Sequence, residues 1–452
     1  MTTSRLRPGR VLLAVTTLLA GSVAWIASAP AATAATTPPA SGLVCSTDPG
    51  NTFGLTAQTG YISTPDGNQI LMWGYGAAPG AFRYPGPVLC VDQGATVTVA
   101  LTNTLPEDTS LVFPGLAGVT VGGAPSGPVR DASGAITSLA PVAPASGGRV
   151  SYTFTADQPG TYVYESGTDQ AKQREMGLYG AIVVRPAGHP DRAYADASTA
   201  FKPDTEFLMM LSQLDPAVHS AVENGTPYDL ANDRPRYFFA NGRSFPDTIA
   251  PNSASWLPTQ PASALVHIVA RPHDTANSPG TPGAFAPALV RYVNMGPAPY
   301  PFHPHGNDGR IVGRDGRSLI TGPGVADQSY DKFSVDVGPG QTDDVLYDFT
   351  DVEGYNPTTN PVPVVLPPLQ DLTFKDAATY YSGSPYLGVR DDLPAGTTSY
   401  NQCGEYYHVM HSHDLHQVTN YGAAMGGMLT LMRIDPANTT TGVTPGTSKA
   451  GC

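Results

Sequence analysis

From Leu43 to about Arg185 the chain runs in short stretches in which apolar and polar residues alternate, such as Val97-Thr98-Val99-Ala100-Leu101 and Val150-Ser151-Tyr152-Thr153-Phe154. Glycine and proline break each stretch. Alternation with a period of two puts every second side chain on one face of a strand, and many short strands between such turns predict an antiparallel sandwich. The segment from Arg185 to Pro203, with Pro186, Pro190 and several alanines, is expected to be a linker. A second β unit opens at Tyr237-Phe238-Phe239-Ala240-Asn241-Gly242 and closes on Gly427-Met428-Leu429-Thr430-Leu431-Met432-Arg433-Ile434. Long Pro/Gly loops, Asn277 to Pro287 and Asn356 to Pro368, interrupt its middle. The expectation is an all-β chain of two sandwich domains, 42–188 and 203–436, followed by a Thr/Gly-rich flexible tail, 437–452.

Composition narrows this reading. The chain has 49 Gly and 45 Pro in 452 residues, a load that excludes a helical bundle, while 41% hydrophobic residues suffice for a buried core. With 24 Lys+Arg against 37 Asp+Glu the formal net charge is -13, which repels phosphate backbones and anionic lipid heads. No Lys/Arg stripe with interleaved aromatics relieves it, so nucleic acid is not an expected partner.

The N-terminus carries Arg5, Arg7 and Arg10, then the apolar run VLLAVTTLLAGSVAWIA, then Ala32-Thr33-Ala34, a small-x-small site. This is the pattern of a secretory signal over 1–34, with the mature chain beginning near Ala35. The earlier Ala27-Ser28-Ala29 is followed by Pro30, which is unfavourable just after a scissile bond. The apolar run is slightly short for a membrane span. The protein is therefore expected to be secreted, with no membrane association after cleavage. In an oxidising compartment Cys45, Cys90, Cys403 and Cys452, which form no CxxC pair, predict two disulfides. Three pairings exist; Cys45 with Cys90 and Cys403 with Cys452 is preferred, because each ties a loose terminus to a nearby strand.

The main chemical signal is the histidine distribution. Of ten histidines, six fall in two stretches, Tyr300-Pro301-Phe302-His303-Pro304-His305-Gly306 and Tyr407-His408-Val409-Met410-His411-Ser412-His413-Asp414-Leu415-His416. Each stretch holds an H-x-H pair, and in an extended strand both imidazoles of a pair face one side. If the strands are neighbours, four nitrogens from His303, His305, His411 and His413 converge. Neutral imidazoles suit copper or zinc, with copper favoured by raw affinity, and serve Mg or Ca poorly. One isolated H-x-H is more readily a pair of exposed or loop-capping histidines; two pairs with flanking aromatics favour a metal site. His408 falls on the opposite parity from His411 and points away, and His416 lies beyond the pair as a weaker ligand candidate. His267, in Ala264-Leu265-Val266-His267-Ile268-Val269, is expected to be a satisfied, half-buried strand histidine.

These stretches, with Tyr84-Pro85-Gly86-Pro87-Val88, Gly160-Thr161-Tyr162-Val163-Tyr164 and Gly177-Leu178-Tyr179-Gly180-Ala181-Ile182-Val183-Val184, resemble the cupredoxin domains of the multicopper oxidases, the laccase-like superfamily. The resemblance spans nearly the whole mature chain and implies two cupredoxin-like, Greek-key β-sandwich domains. It also implies that His303, His305, His411 and His413 match positions that hold type 2 and type 3 coppers in the family.

The chain departs from the family pattern elsewhere. The family's first-domain H-x-H pairs fall here on Ser110-Leu111-Val112-Phe113-Pro114-Gly115 and Tyr164-Glu165-Ser166-Gly167, which supply no imidazole. The leading histidine of the His-Pro-x-His-x-His run is Tyr300, the cysteine between the later histidines is Ser412, and the last family histidine falls on Gln417. Met428 resembles the axial methionine but is read first as core packing, alongside Met425 and Met432. Glu165 is read as a solvated loop acid ahead of an extra carboxylate or general base.

Without the thiolate and the first-domain ligands, standard laccase turnover is not expected. Two hypotheses follow, with no catalytic residue assigned. One is a secreted copper-binding protein with nonstandard copper-dependent oxidoreductase chemistry on a small-molecule or metal-ion substrate, and no blue type 1 centre. The other is a copper-free cupredoxin scaffold acting in binding at the cell surface. Two-domain relatives in this superfamily can form trimers with copper sites at subunit boundaries, so a homotrimer is a candidate assembly. HExxH, GxSxG, P-loop and GxGxxG motifs are absent, which removes support for peptidase, hydrolase and nucleotide-dependent readings. Asp308-Gly309 and Asp315-Gly316 are read as hairpin turns.

Overall fold

The computed structural model describes residues 41–272, 287–320, 326–351 and 406–435. The predicted leader and tail, the loop Asn356 to Pro368, nearly all of the loop before Pro287, and the Cys403–Cys452 pair lie outside these residues. Among the described residues no helix is long and apolar enough to cross a membrane.

Four larger sheets make the body. The first unit pairs a sheet ordered Cys45–Ser46, Val88–Asp92, Tyr179–Arg185, Gly160–Glu165 with one led by Gln69–Gly76, Thr52–Ser63, Thr96–Asn103 and Arg149–Thr155. The second unit pairs a seven-stranded sheet, containing Tyr237–Ala240, Glu206–Leu214, Ala288–Asn294, Thr342–Tyr347 and Gly309–Arg314, with a five-stranded one. That last sheet runs Val266–Val269, Leu429–Asp435, Tyr406–Ser412, Tyr300–Pro304, Val335–Val337. The expected all-β, two-sandwich architecture is what the chain adopts.

Burial separates outer layers from inner ones. Thr96–Asn103 alternates exposed or half-buried with buried positions, as a strand with one wet face must. Gly160–Glu165, Glu206–Leu214, Ala288–Asn294 and Thr342–Tyr347 are buried at every position. Both faces of these strands are covered. On one side each contributes to the core of its own unit, around Trp73 and Tyr152 in the first and around Met209 and Phe302 in the second. On the other side the two units share a third core, in which Met72, Tyr84, Val163 and Val183 pack with Leu208, Met210, Phe239 and Val293.

This layering corrects two expectations. Within 203–436 the first strand is Glu206–Leu214, ahead of the expected opening at Tyr237; EFLMMLSQL is covered on both faces and shows no alternation. The Arg185 to Pro203 segment is also no loose linker: Ala193, Tyr194 and Phe201 are buried with Leu289, Val312 and Leu346. Of the predicted turns, Asp315-Gly316 does close a hairpin, joining Arg314 to its partner Arg317 with φ of 51° and 67°. Asp308-Gly309 does not, since the strands on either side of it belong to different sheets. The Cys45–Cys90 disulfide is present and ties the first strand to Val88–Asp92.

Charged groups are buried between the two units. Arg291, wholly inaccessible, donates from Nε to Glu206 Oε1 at 2.7 Å and from Nη1 to Thr161 Oγ1 at 3.0 Å and Asp344 Oδ1 at 3.2 Å. Arg185 Nη2 donates to Glu206 Oε2 at 2.6 Å, and Tyr194 donates to Asp344 Oδ2 at 2.6 Å. The neighbouring Asp343 is fully buried and bonded to Arg314 Nε at 2.7 Å. Burial outweighs that ion pair and pushes its carboxyl up to about 7. The native state then holds a proton that the unfolded chain has released between the ordinary carboxylate value and about pH 7. Stability from this group is therefore largest in acid and falls as pH rises through that window. Urea midpoints measured from pH 4 to 8 should show a downward contribution that Asp343→Asn removes; an unchanged profile in the variant would refute it.

Candidate metal centre

The histidine face is built by strand alternation. In Tyr300–Pro304 the residues Tyr300, Phe302 and Pro304 are buried, and Pro301 and His303 are half-buried on the opposite side. Phe302 lies in the second unit's core, so His303 stands on the outward face of an outer sheet. The strand pairs antiparallel with Tyr406–Ser412, and His303 sits directly opposite His411. His305 and His413 each follow their strand by one residue. Backbone bonds hold both in place, His305 N to Val409 O at 2.9 Å and His413 N to Pro301 O at 2.7 Å.

The two H-x-H pairs come together. Ring centroids lie 4.8 Å apart for His303 and His305, 5.1 Å for His305 and His411, 5.2 Å for His303 and His413, and 5.8 Å for His411 and His413. His305 Nε2 and His411 Nε2 are 3.0 Å apart. The Nδ1 atoms of two rings face carbonyls, His303 toward Phe333 O at 2.5 Å and His411 toward Ser412 O at 2.7 Å. A carbonyl can only accept, so each Nδ1 carries the proton and each Nε2 keeps its lone pair. Burial, helped by the surrounding imidazoles, depresses His305 to about 4, and burial also lowers His411. Both are neutral near pH 7, the form that ligates metal. Among the described residues, no three His, Cys, Asp or Glu side chains already stand in an arrangement that closes around a metal ion. The cluster brings four imidazoles together on the outer face of the sheet.

The remaining candidates fall outside the cluster. His408 packs against Phe349, centroids 5.6 Å apart, and against Gly306, where a Cβ would come within 2.6 Å of the ring. His416 is exposed beside Phe238 at 5.2 Å. His267 is half-buried and bonded through Nε2 to Asp435 Oδ2 at 2.6 Å. Met428 is a buried member of the second unit's core. Glu165 is not a solvated loop acid. It is buried in a strand with Oε2 2.9 Å from Arg174 Nε, and its pKa is raised because burial outweighs that arginine.

The residues at which the resemblance led to an expectation of ligands are hydrogen-bonded, and two of them, Ser412 and Gln417, bond to each other. Ser412 Oγ donates to Gln417 Oε1 at 2.5 Å, and Gln417 Nε2 donates to Pro299 O at 3.3 Å. Tyr300 OH, wholly buried, donates to Gln213 Oε1 at 3.0 Å. In the first unit Ser110 Oγ lies 2.9 Å from Ser138 Oγ, and Ser166 donates to Gln173 Oε1 at 2.6 Å. Sequence reasoning missed the groups that orient the rings, the carbonyls of Phe333 and Ser412. A backbone oxygen leaves no mark in the identity of its residue.

Comparison with known proteins is consistent with this geometry. A family model described as multicopper oxidase matches residues 80–189. L-ascorbate oxidase of Cucurbita maxima is 31% identical over 122 residues, 27% of this chain and 18% of that protein. The Nicotiana tabacum L-ascorbate oxidase is 30% identical over 150 residues, 33% of this chain and 22% of that one. The matched stretches thus span less than a quarter of either relative. In fold, the chain is similar to a blue copper oxidase from Nitrosomonas europaea, with a TM-score of 0.52 and 16% identity over 85% of each chain. It is equally similar to the multicopper oxidase mgLAC, with a TM-score of 0.52 and 18% identity over 86% of this chain and 89% of the other. Residues 80–189 thus match the multicopper oxidase family model, and the four-sheet fold is similar to that of solved multicopper oxidases.

Proposed function

We propose that the protein is a secreted copper-binding member of the multicopper oxidase superfamily that holds copper at His303, His305, His411 and His413 and acts as a nonstandard copper-dependent oxidoreductase. The observation that carries this reading is the 3.0 Å approach of His305 Nε2 to His411 Nε2 within the four-ring cluster. Two nitrogens bound to one ion at about 2.0 Å stand about 3 Å apart, so the pair already has the spacing of neighbouring ligands. The donors fit the metal in chemistry, since all are imidazoles, and His305 and His411 are held neutral. Copper held by these four imidazoles would supply a centre able to change oxidation state toward a small-molecule or metal-ion substrate. The chain's part is to fix the donors: the Phe333 and Ser412 carbonyls hold the Nδ1 protons of His303 and His411 and aim the Nε2 lone pairs. The exposed Phe333 ring lies edge-on beside His303, with centroids 5.8 Å apart. Metal quantification with electron paramagnetic resonance on the isolated protein tests the reading; a metal-free protein that takes up no copper would end it.

The same reading predicts colour. An intense blue band needs a cysteine thiolate on copper, and the position between the two later histidines is Ser412, bonded to Gln417. Copper-loaded protein should be colourless or pale in its oxidised form, and a strong blue absorption would contradict the assignment. The half-buried, outward position of the rings also supports completion of the site by a second copy in a homo-oligomer, read out by light scattering with and without copper.

A copper-free binding scaffold is the second reading, favoured by the open donor arrangement and by the hydrogen-bonded pair at Ser412 and Gln417. A ligand that binds only the native state raises the melting temperature with concentration. No shift on adding copper, with no oxidation of phenols or metal ions, would select the scaffold.

A further inference from the structure

Where helix Pro216–Asn224 lies over strand Gln69–Gly76 there is a cavity of about 470 Å³. No residue of the histidine strands lines it. Leu71, Trp73 and Val222 give it an apolar floor. Lys172, only 8% exposed, places Nζ 5.1 Å from the centre of the Trp73 ring and 5.7 Å from that of Tyr228, and pairs with the Glu107 carboxylate. At the rim Glu223 accepts a hydrogen bond from Tyr61 OH at 2.5 Å.

The charges decide what such a cavity can take. An anionic ligand would reach Lys172 only beside the Glu107 carboxylate, with Glu223 also on the wall. An ammonium ligand would find the Trp73 and Tyr228 faces already occupied by the lysine. A neutral molecule with apolar ring edges and several hydroxyls meets neither obstacle. Its C–H edges rest on the aliphatic floor of Leu71 and Val222, and its hydroxyls bond to Lys172, Glu107 and Glu223, whose charges strengthen those bonds. The volume falls within the range of about 300–1,000 Å³ usual for small-molecule sites. We propose that the cavity lined by Trp73, Tyr228, Lys172 and Glu107 binds a neutral saccharide of one or two pyranose rings, independently of the metal site.

Isothermal titration calorimetry of the whole protein with cellobiose, maltose and xylobiose tests this, with 4-hydroxybenzoate and choline as the anionic and cationic arms. At least one disaccharide should bind saturably and more tightly than either charged probe. Glu107→Gln, which keeps the side-chain shape, and Tyr228→Ala, at the half-buried rim, should each weaken that binding by at least about tenfold, the effect of one charge-assisted hydrogen bond or aromatic contact. Both variants should stay folded by circular dichroism and keep wild-type copper content, which separates this outcome from failure of the metal assignment. Absence of saturation with all three disaccharides, tighter binding of a charged probe, or binding unaffected by both substitutions would each overturn the proposal.

Discussion

His303→Ala combined with His411→Ala should strip the protein of copper. The two residues face each other across one strand pair, and both have their Nδ1 atoms tied to carbonyls, so the double variant removes two oriented donors and leaves His305 without its Nε2 neighbour. Loss of a group that merely orients a ligand weakens metal binding about 10–100-fold, and loss of two ligands should exceed the upper end of that range. Metal content after dialysis against a fixed free-copper concentration is the measurement. Both side chains are half-buried on the outer face, outside the packed interior, so the unfolding free energy should change by no more than about 1 kcal/mol. A folded double variant with wild-type copper content would sink the assignment of all four histidines.

Arg291→Ala should be among the most destabilising single substitutions in the chain. It leaves Glu206 and Asp344, both buried, facing an emptied space between the two units, with Arg185, Tyr194 and Thr161 as their remaining partners. Removing one member of a buried ion pair typically costs about 3–5 kcal/mol, because the other charge stays buried without compensation. Urea unfolding should show that loss as a lower midpoint. Adding Glu206→Gln and Asp344→Asn should recover much of it, since neutral amides replace stranded charges. A loss below about 1 kcal/mol would mean that solvent reaches the cluster once the guanidinium is gone.

How much of this was legible in the sequence depended on which periodicity each element carries. The imidazole couples were readable because His303 with His305 and His411 with His413 follow the two-residue repeat of a strand. The outer strands were readable for the same reason. The inner strands were not, because Glu206–Leu214 is covered on both faces and loses the alternation that marks a strand with one wet side. Arg291, in a sequence, is one more charged residue; only the fold brings Glu206, Thr161 and Asp344 around it. Ser412, at the position where the resemblance would place a cysteine, was visible, but its bond to Gln417, five residues on, depends on the turn that follows the strand. Glu165 was misread because a lone acid after Gly160-Thr161-Tyr162-Val163-Tyr164 gives no sign of the arginine that awaits it on the next helix.

The seam of Met72, Tyr84, Val163 and Val183 against Leu208, Met210, Phe239 and Val293 has a consequence for how the chain can be divided. Neither half possesses an exterior of its own along that plane. Severed between Arg185 and Glu206, each would present a broad greasy wall to water and carry one side of a stranded ionic knot. Shuffling or truncation in this protein therefore has no neutral cut point at its middle, although two sandwiches are plainly drawn there.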